Sequence, residues 1–241
     1  MVTAEAARWV KPFDSFIAIE ERAGGNKHIR LLANDGRSTQ VASDEPAYAM
    51  SIDDNREVSS TKLRYTYDSL TTPEITYEVD AATGARTVLK RKPTPNYDPS
   101  QYVTERVWAP ARDGTRVPVS LVYKKGFKRD GTAAMLQYGY GSYGLSMDPA
   151  FSPTVMPLLD RGMVYAIAHV RGGQEMGRAW YDAGHLLNKK NSFTDFIDVT
   201  RDLVSQGYAA KDRVAAEGGS AGGLLMGAVT NMAPEDYRVV I

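Results

Sequence analysis

The residues best suited to chemistry lie in one hexapeptide, Gly218-Gly219-Ser220-Ala221-Gly222-Gly223. It falls between a short strand candidate, residues 213–217 (RVAAE), and a helical stretch, 224–232 (LLMGAVTNM). Gly-x-Ser-x-Gly at a strand-to-helix turn is the pattern of a nucleophile elbow. There a serine sits on strained backbone, and neighbours without a Cβ let strand and helix approach closely. The helix start adds free N–H groups and the positive end of its dipole, which favour a developing oxyanion. Ser220 is therefore the candidate nucleophile, and the N–H of Ala221 a candidate oxyanion donor. The plain alternative is a glycine-rich turn without chemistry. A phosphate-cradling loop is a third reading, opposed by the missing Walker lysine and the lack of an acidic residue at ribose spacing.

A second glycine-rich run, Tyr138-Gly139-Tyr140-Gly141-Ser142-Tyr143-Gly144, follows the apolar stretch 133–138 (AAMLQY). A loop after an early strand is where a second oxyanion donor is expected, and a tyrosine hydroxyl can serve as one. On spacing alone the run reads equally well as a tightly packed loop. A nucleophilic serine also needs a base, and the base an orienting carboxylate. Where the order is Ser, Asp/Glu, His, the base must follow residue 220, and none of His28, His169 and His185 does. His169, ending an apolar strand, reads as structural, as do His28 and His185. Asp195, Asp198 and Asp202 read as the wet face of a helix. The expectation is a truncated or internal fragment that lacks its acid and base.

Zero cysteines exclude disulfides, thiolate metal sites and a cysteine nucleophile. Lys plus Arg and Asp plus Glu balance at 29 each, so no net field draws the chain to nucleic acid or anionic lipid. No apolar run reaches the length of a membrane span, and the first residues lack a signal pattern. A cytoplasmic location without membrane or nucleic-acid partners is expected, as are no metal and no organic cofactor.

Two kinds of element must position these residues. Up to about residue 95 the chain alternates short runs rich in β-branched and aromatic residues with turn chemistry. The runs are 16–20, 28–32, 62–67, 75–79 and 86–90; between them lie AGGN, NDGR, SLTTP and ATGA. An antiparallel meander, either a sandwich or propeller blades, is expected there. Residues 91–100 hold three of the twelve prolines and read as a boundary. Beyond it, a hairpin (103–109 and 117–123) leads into buried strands 133–138 and 163–170 and helices 154–161, 193–206 and 224–232. That βα alternation predicts an α/β domain with a mostly parallel sheet.

SLTTPEITYEVD, ARDGTRVPVSLVYKKG, LQYGYGSYG, LLDRGMVYAIAHVRGGQEMGRAWYDAGHLLNKKNSFTDFIDV and GGSAGGLLMG stand in fixed order across the chain. They resemble the prolyl oligopeptidase family of serine peptidases, and within it the basic-residue-specific oligopeptidase B branch. The resemblance implies residues 1–95 as the last blades of a β-propeller and 96–241 as the first part of an α/β-hydrolase domain. It implies Ser220 as nucleophile, Tyr140 as oxyanion-hole tyrosine and Ala221 as the backbone donor. It also implies an endopeptidase acting on short peptides, after Lys or Arg, with this fragment inactive. The rival readings are another acyl hydrolase of the same fold (prolyl oligopeptidase, acyl-aminoacyl peptidase or esterase) and a non-catalytic peptide-binding remnant.

Overall fold

A computed structural model describes residues 6–241. It divides into two compact units, one formed by Met1–Asp98 with Asp148–Phe151 and one by Pro99–Met147 with Ser152–Ile241. Among the described residues no helix is long and apolar enough to cross a membrane.

The first unit is two antiparallel meanders of four strands. The strands β1 (Ala6–Pro12), β2 (Phe16–Ala23), β3 (Asn26–Ala33) and β4 (Ser38–Gln40) form one. The strands β5 (Tyr48–Ile52), β6 (Lys62–Ser69), β7 (Ile75–Asp80) and β8 (Arg86–Arg91) form the other. A single parallel bridge, Lys27 to Ala49, joins them. Period-2 burial along β6 and β7 sends Leu63, Tyr65, Tyr67, Ile75, Tyr77 and Val79 inward, onto Phe16, Ile29, Leu31 and Met50. Tyrosine rings stack across strands, Tyr65 on Tyr77 at 5.5 Å and Tyr48 on Tyr67 at 5.8 Å. The β2–β3 hairpin turns on Gly24 and Gly25, both at positive φ as a two-residue hairpin loop requires. The five strands expected from sequence are present. The sequence does not single out the others, β1, β4 and β5, of which β4 is only three exposed residues.

The second unit is an α/β domain. Its elements are β9 (Tyr102–Pro110), β10 (Arg116–Lys124), β11 (Met135–Gly139), α1 (Met156–Asp160), β12 (Val164–Ala168), α2 (Arg178–Asp182), α3 (Lys190–Ser205), β13 (Val214–Glu217), α4 (Ala221–Met232) and β14 (Val239–Val240). The sheet order is β14-β13-β11-β12-β10-β9. The β9–β10–β12 pairings are antiparallel, and β12–β11–β13–β14 are parallel. Val119, Leu121, Met135, Val164, Ala166, Val214 and Ala216 from the sheet pack with Phe196, Val199, Leu203, Leu225 and Val229 of α3 and α4 in one core. The carboxyl ends of β11, β12 and β13 release the loops that begin at Tyr140, His169 and Gly218, and the carboxyl end of a parallel sheet is where such folds place ligands.

The reading of α3 needs correction at its acidic residues. Phe196, Ile197 and Leu203 are buried as expected, but Asp195 is fully buried and Asp198 nearly so. Each carboxylate meets an arginine from a distant loop, a pairing that helical periodicity does not disclose.

Candidate active site

Between the end of β13 at Glu217 and the start of α4 at Ala221 only three residues turn the chain. Ser220, the last of them, adopts φ 54° and ψ −118°, a left-handed conformation unusual for a residue with a Cβ. Such a conformation typically costs about 1–3 kcal/mol and persists only where the surroundings enforce it. Two glycines supply that enforcement. A methyl group on Gly218 would lie 2.6 Å from the carbonyl oxygen of Gly222, and one on Gly222 would lie 2.9 Å from that of Gly139. By contrast, one on Gly219 would meet nothing within 4 Å, and one on Gly223 only the Gly218 carbonyl oxygen at 3.8 Å. The two glycines of the Gly-x-Ser-x-Gly pattern are thus the two that let β13, α4 and the end of β11 close together.

Ser220 itself is exposed. Ala221 is the first residue of α4, so its N–H has no intrahelical acceptor and stays available at the helix start. The Tyr140 ring and Cα lie 3.6 and 3.7 Å from where a Gly222 methyl would stand. The loop after β11 and the elbow therefore share one surface, with Tyr140 half-buried in it. Next to it the Tyr138 phenol is pushed up, first by burial and then by the charge of Glu217. Ser220, Ala221 and Tyr140 can accordingly offer a nucleophile, a backbone donor and a hydroxyl donor on one surface.

No histidine joins them. His28 lies in the first unit, where Nε2 meets the Ala23 carbonyl at 2.9 Å and Nδ1 the Tyr48 hydroxyl at 2.5 Å. His185 stacks on Tyr181 at 4.4 Å. His169, at the end of β12, is 1% exposed, with Nε2 2.7 Å from Ser120 Oγ and Nδ1 3.7 Å from Glu175 Oε1. A serine, a histidine and a carboxylate are thus brought together here, away from Ser220. Ser120 and Glu175 are 0% and 2% exposed, so no substrate reaches this group. Glu175 also accepts the Met147 N–H at 2.8 Å, and the cluster ties β10, β12 and the following loops together.

The Arg171-Gly172-Gly173-Gln174-Glu175 loop is held by charge and by close approach. Arg171 donates to both Asp195 oxygens, at 2.9 and 2.5 Å, and to Asp113 at 2.6 Å. The Asp195 hydrogen bonds raise the Arg171 guanidinium further above its ordinary value. The Thr115 N–H, and after it Arg171, holds the Asp113 carboxyl down at about 2. Gly172 packs on the Gly141 carbonyl oxygen, within 2.1 Å of where a methyl would stand. Among the described residues no group of three or more His, Asp or Glu side chains is placed to hold a metal ion.

Known proteins match along both units. The family description "Prolyl oligopeptidase, N-terminal beta-propeller domain" matches residues 4–92, and "Prolyl oligopeptidase family" matches residues 149–241. Dipeptidyl aminopeptidase BI of Pseudoxanthomonas mexicana is 63% identical over 95% of this chain and 32% of its own length. Protease 2 of Moraxella lacunata is 42% identical over 95% of this chain and 33% of its own. The structure of oligopeptidase B from Trypanosoma brucei with covalently bound antipain is similar with a TM-score of 0.87 and 38% identity, over 98% of this chain and 35% of that one. The chain spans about a third of the length of the curated relatives it matches.

Proposed function

Since the chain belongs to the prolyl oligopeptidase family of serine peptidases, we propose that Ser220 is the acylating nucleophile of a peptidase acting on short peptides. Its oxyanion is held by the Tyr140 hydroxyl and the Ala221 N–H. The observation that carries this reading is the φ of 54° at an exposed serine, on a turn closed by Gly218 and Gly222. An elbow of this kind lifts the Oγ clear of the sheet, and the start of α4 stabilises charge developing beside it.

Ser220 must lose a proton as it attacks, and His28, His169 and His185 are all engaged elsewhere. These 241 residues alone are therefore expected to hydrolyse no peptide measurably and to react slowly with a fluorophosphonate. In the full-length protein, labelling of Ser220 should be fast and stoichiometric, and Ser220→Ala should abolish both labelling and hydrolysis. Full peptidase activity in Ser220→Ala, or fast labelling of the 241-residue chain, would overturn the assignment.

Cleavage after Lys or Arg in the manner of oligopeptidase B is the first reading of specificity, supported by the likeness to Protease 2 and to the trypanosomal structure. A second reading, removal of dipeptides from a free amino terminus, is favoured by the 63% identity with dipeptidyl aminopeptidase BI. Paired arginyl amides, one with a blocked and one with a free amino terminus, separate the two. A simple ester turned over in preference to both would point to the esterase alternative, and no turnover of any to a peptide-binding role.

A further inference from the structure

The loop that carries Tyr140 has an unusual support. Lys189 immediately precedes α3, and its ammonium Nζ lies 2.5 Å from the Gly141 carbonyl oxygen, 2.8 Å from Ser142 Oγ and 3.3 Å from Ser192 Oγ. Three N–H donors thus meet three neutral oxygens, two of them on the residues that follow Tyr140. No ion pair among the described residues includes Lys189.

For a stabilising surface lysine this is a poor position. The start of a helix is the positive end of its dipole, where a cation is disfavoured. Burial adds to the penalty and pushes the Lys189 ammonium down from its ordinary value. A charge kept against both effects is doing something other than solvating the surface.

The neighbouring hydroxyl cannot do the same work. Ser192 Oγ lies 2.5 Å from the Arg171 carbonyl oxygen, 3.2 Å from that of Gly184 and 3.3 Å from that of Gly141. One hydroxyl has one proton, and the shortest contact takes it to Arg171. The Gly141 carbonyl is left to Lys189. Gly141 sits at φ 65° with the Val170 side chain only 2.5 Å from where a methyl would stand, so a side chain of its own cannot anchor it.

We propose that Lys189 is a positioning residue for the oxyanion loop, its ammonium fixing the Gly141 carbonyl and the Ser142 hydroxyl and thereby the backbone that carries Tyr140. The inference rests on Tyr140 being an oxyanion donor. It assigns Lys189 no contact with substrate.

The test uses the full-length protein with Lys189→Met, Tyr140→Phe, the double variant and Ser142→Ala, on a peptide amide substrate. Loss of one oxyanion donor lowers kcat by about 10²–10³-fold, which is the fall expected for Tyr140→Phe. Misplacement of that donor in Lys189→Met should lower kcat by about 10–100-fold with KM changed less than about threefold, because transition-state stabilisation is lost and ground-state binding is kept. In the Tyr140→Phe background the further loss should shrink to about threefold or less, since both changes remove one interaction. A natively folded Lys189→Met with unchanged kcat overturns the proposal, as does full multiplicative loss in the double variant. If Lys189→Met does not fold, Ser142→Ala decides: a several-fold fall in kcat at constant KM supports the proposal, and no change overturns it. Should Tyr140→Phe itself keep full activity, the oxyanion reading of Tyr140 fails instead, a result distinct from failure at Lys189.

Discussion

At the scale of single residues the elbow separates necessary glycines from permitted ones. Gly222→Ala puts a methyl group 2.9 Å from the Gly139 carbonyl oxygen. Gly139 has no freedom to retreat, because the space beside its own Cα is filled by the Phe196 ring, 2.7 Å from where a methyl would stand. Overpacking of this kind typically costs about 1–3 kcal/mol, and relief of the clash must move the turn that carries Ser220. The expected outcome for Gly222→Ala is loss of fluorophosphonate labelling in the full-length protein together with a lower melting temperature. Gly223→Ala is the control. A methyl there meets only a carbonyl oxygen at 3.8 Å, and alanine gains about 0.5–1 kcal/mol over glycine within a helix, so labelling should persist. Equal labelling in both variants would show that the close approach does not set the serine. The Gly-x-Ser-x-Gly pattern between a strand and a helix made Ser220 legible and picked out Gly218 and Gly222, while the atoms they make room for were not legible. Tyr140 emerged by resemblance rather than spacing. Lys189 carried no signal, because a lysine in a polar loop reads as solvated until its acceptors are known.

At the scale of elements, α3 shows where periodicity misleads. Its apolar stripe places Phe196, Ile197 and Leu203 in the core as expected, but the polar residue at 195 is buried with them. Asp195 and Arg171 are 24 positions apart, and a pairing across loops leaves no trace in a window of one helix. Together they anchor the loop after β12 to α3, with the Arg171 backbone N–H also bonded to Asp195 at 3.0 Å. Removing one partner of a buried pair costs about 3–5 kcal/mol where the other charge is left uncompensated; here Asp113, 2.6 Å from Arg171, still offsets part of that cost. Asp195→Ala should therefore destabilise the full-length protein strongly in denaturant unfolding. Adding Arg171→Met should recover part of the loss, because the guanidinium that has lost both Asp195 hydrogen bonds and keeps only Asp113 is then gone. Additive destabilisation by the two changes would mean that the pair is not the unit that holds the loop. The buried parallel strands were legible for the opposite reason: their apolar runs are local, and length and neighbouring turns alone identify them.

At the scale of the whole molecule, the change from meander to βα alternation, with the prolines of residues 91–100 between, made the two-part organisation legible. What composition could not disclose is that four later residues, Asp148–Phe151, belong with the first unit. Arg22, 1% exposed, holds Asp148 through two hydrogen bonds of 2.7 and 2.8 Å. Phe151 packs on Tyr97 with centroids 4.8 Å apart, and its N–H donates to Asp68 Oδ1 at 2.8 Å. Asp68 makes this attachment sensitive to pH. Burial pushes its carboxyl up to about 6, against the downward pull of the Phe151 and Ser69 N–H groups and of Lys92, with Glu74 adding to the rise. An unfolded aspartate titrates near 3.9, so between about pH 4 and 6 the folded chain keeps a proton that the unfolded chain has released. Stability accordingly falls as pH rises through that window, and the penalty remains in full above it. Asp68→Asn keeps an oxygen for the Phe151 N–H and has no charge to desolvate. It should melt above the wild type at pH 8, with the difference shrinking through pH 6 and vanishing by about pH 4. Melting curves of the two proteins across that range check the sign. A variant less stable than the wild type at every pH would show that the ionised carboxylate gains more from its N–H donors than it loses to burial.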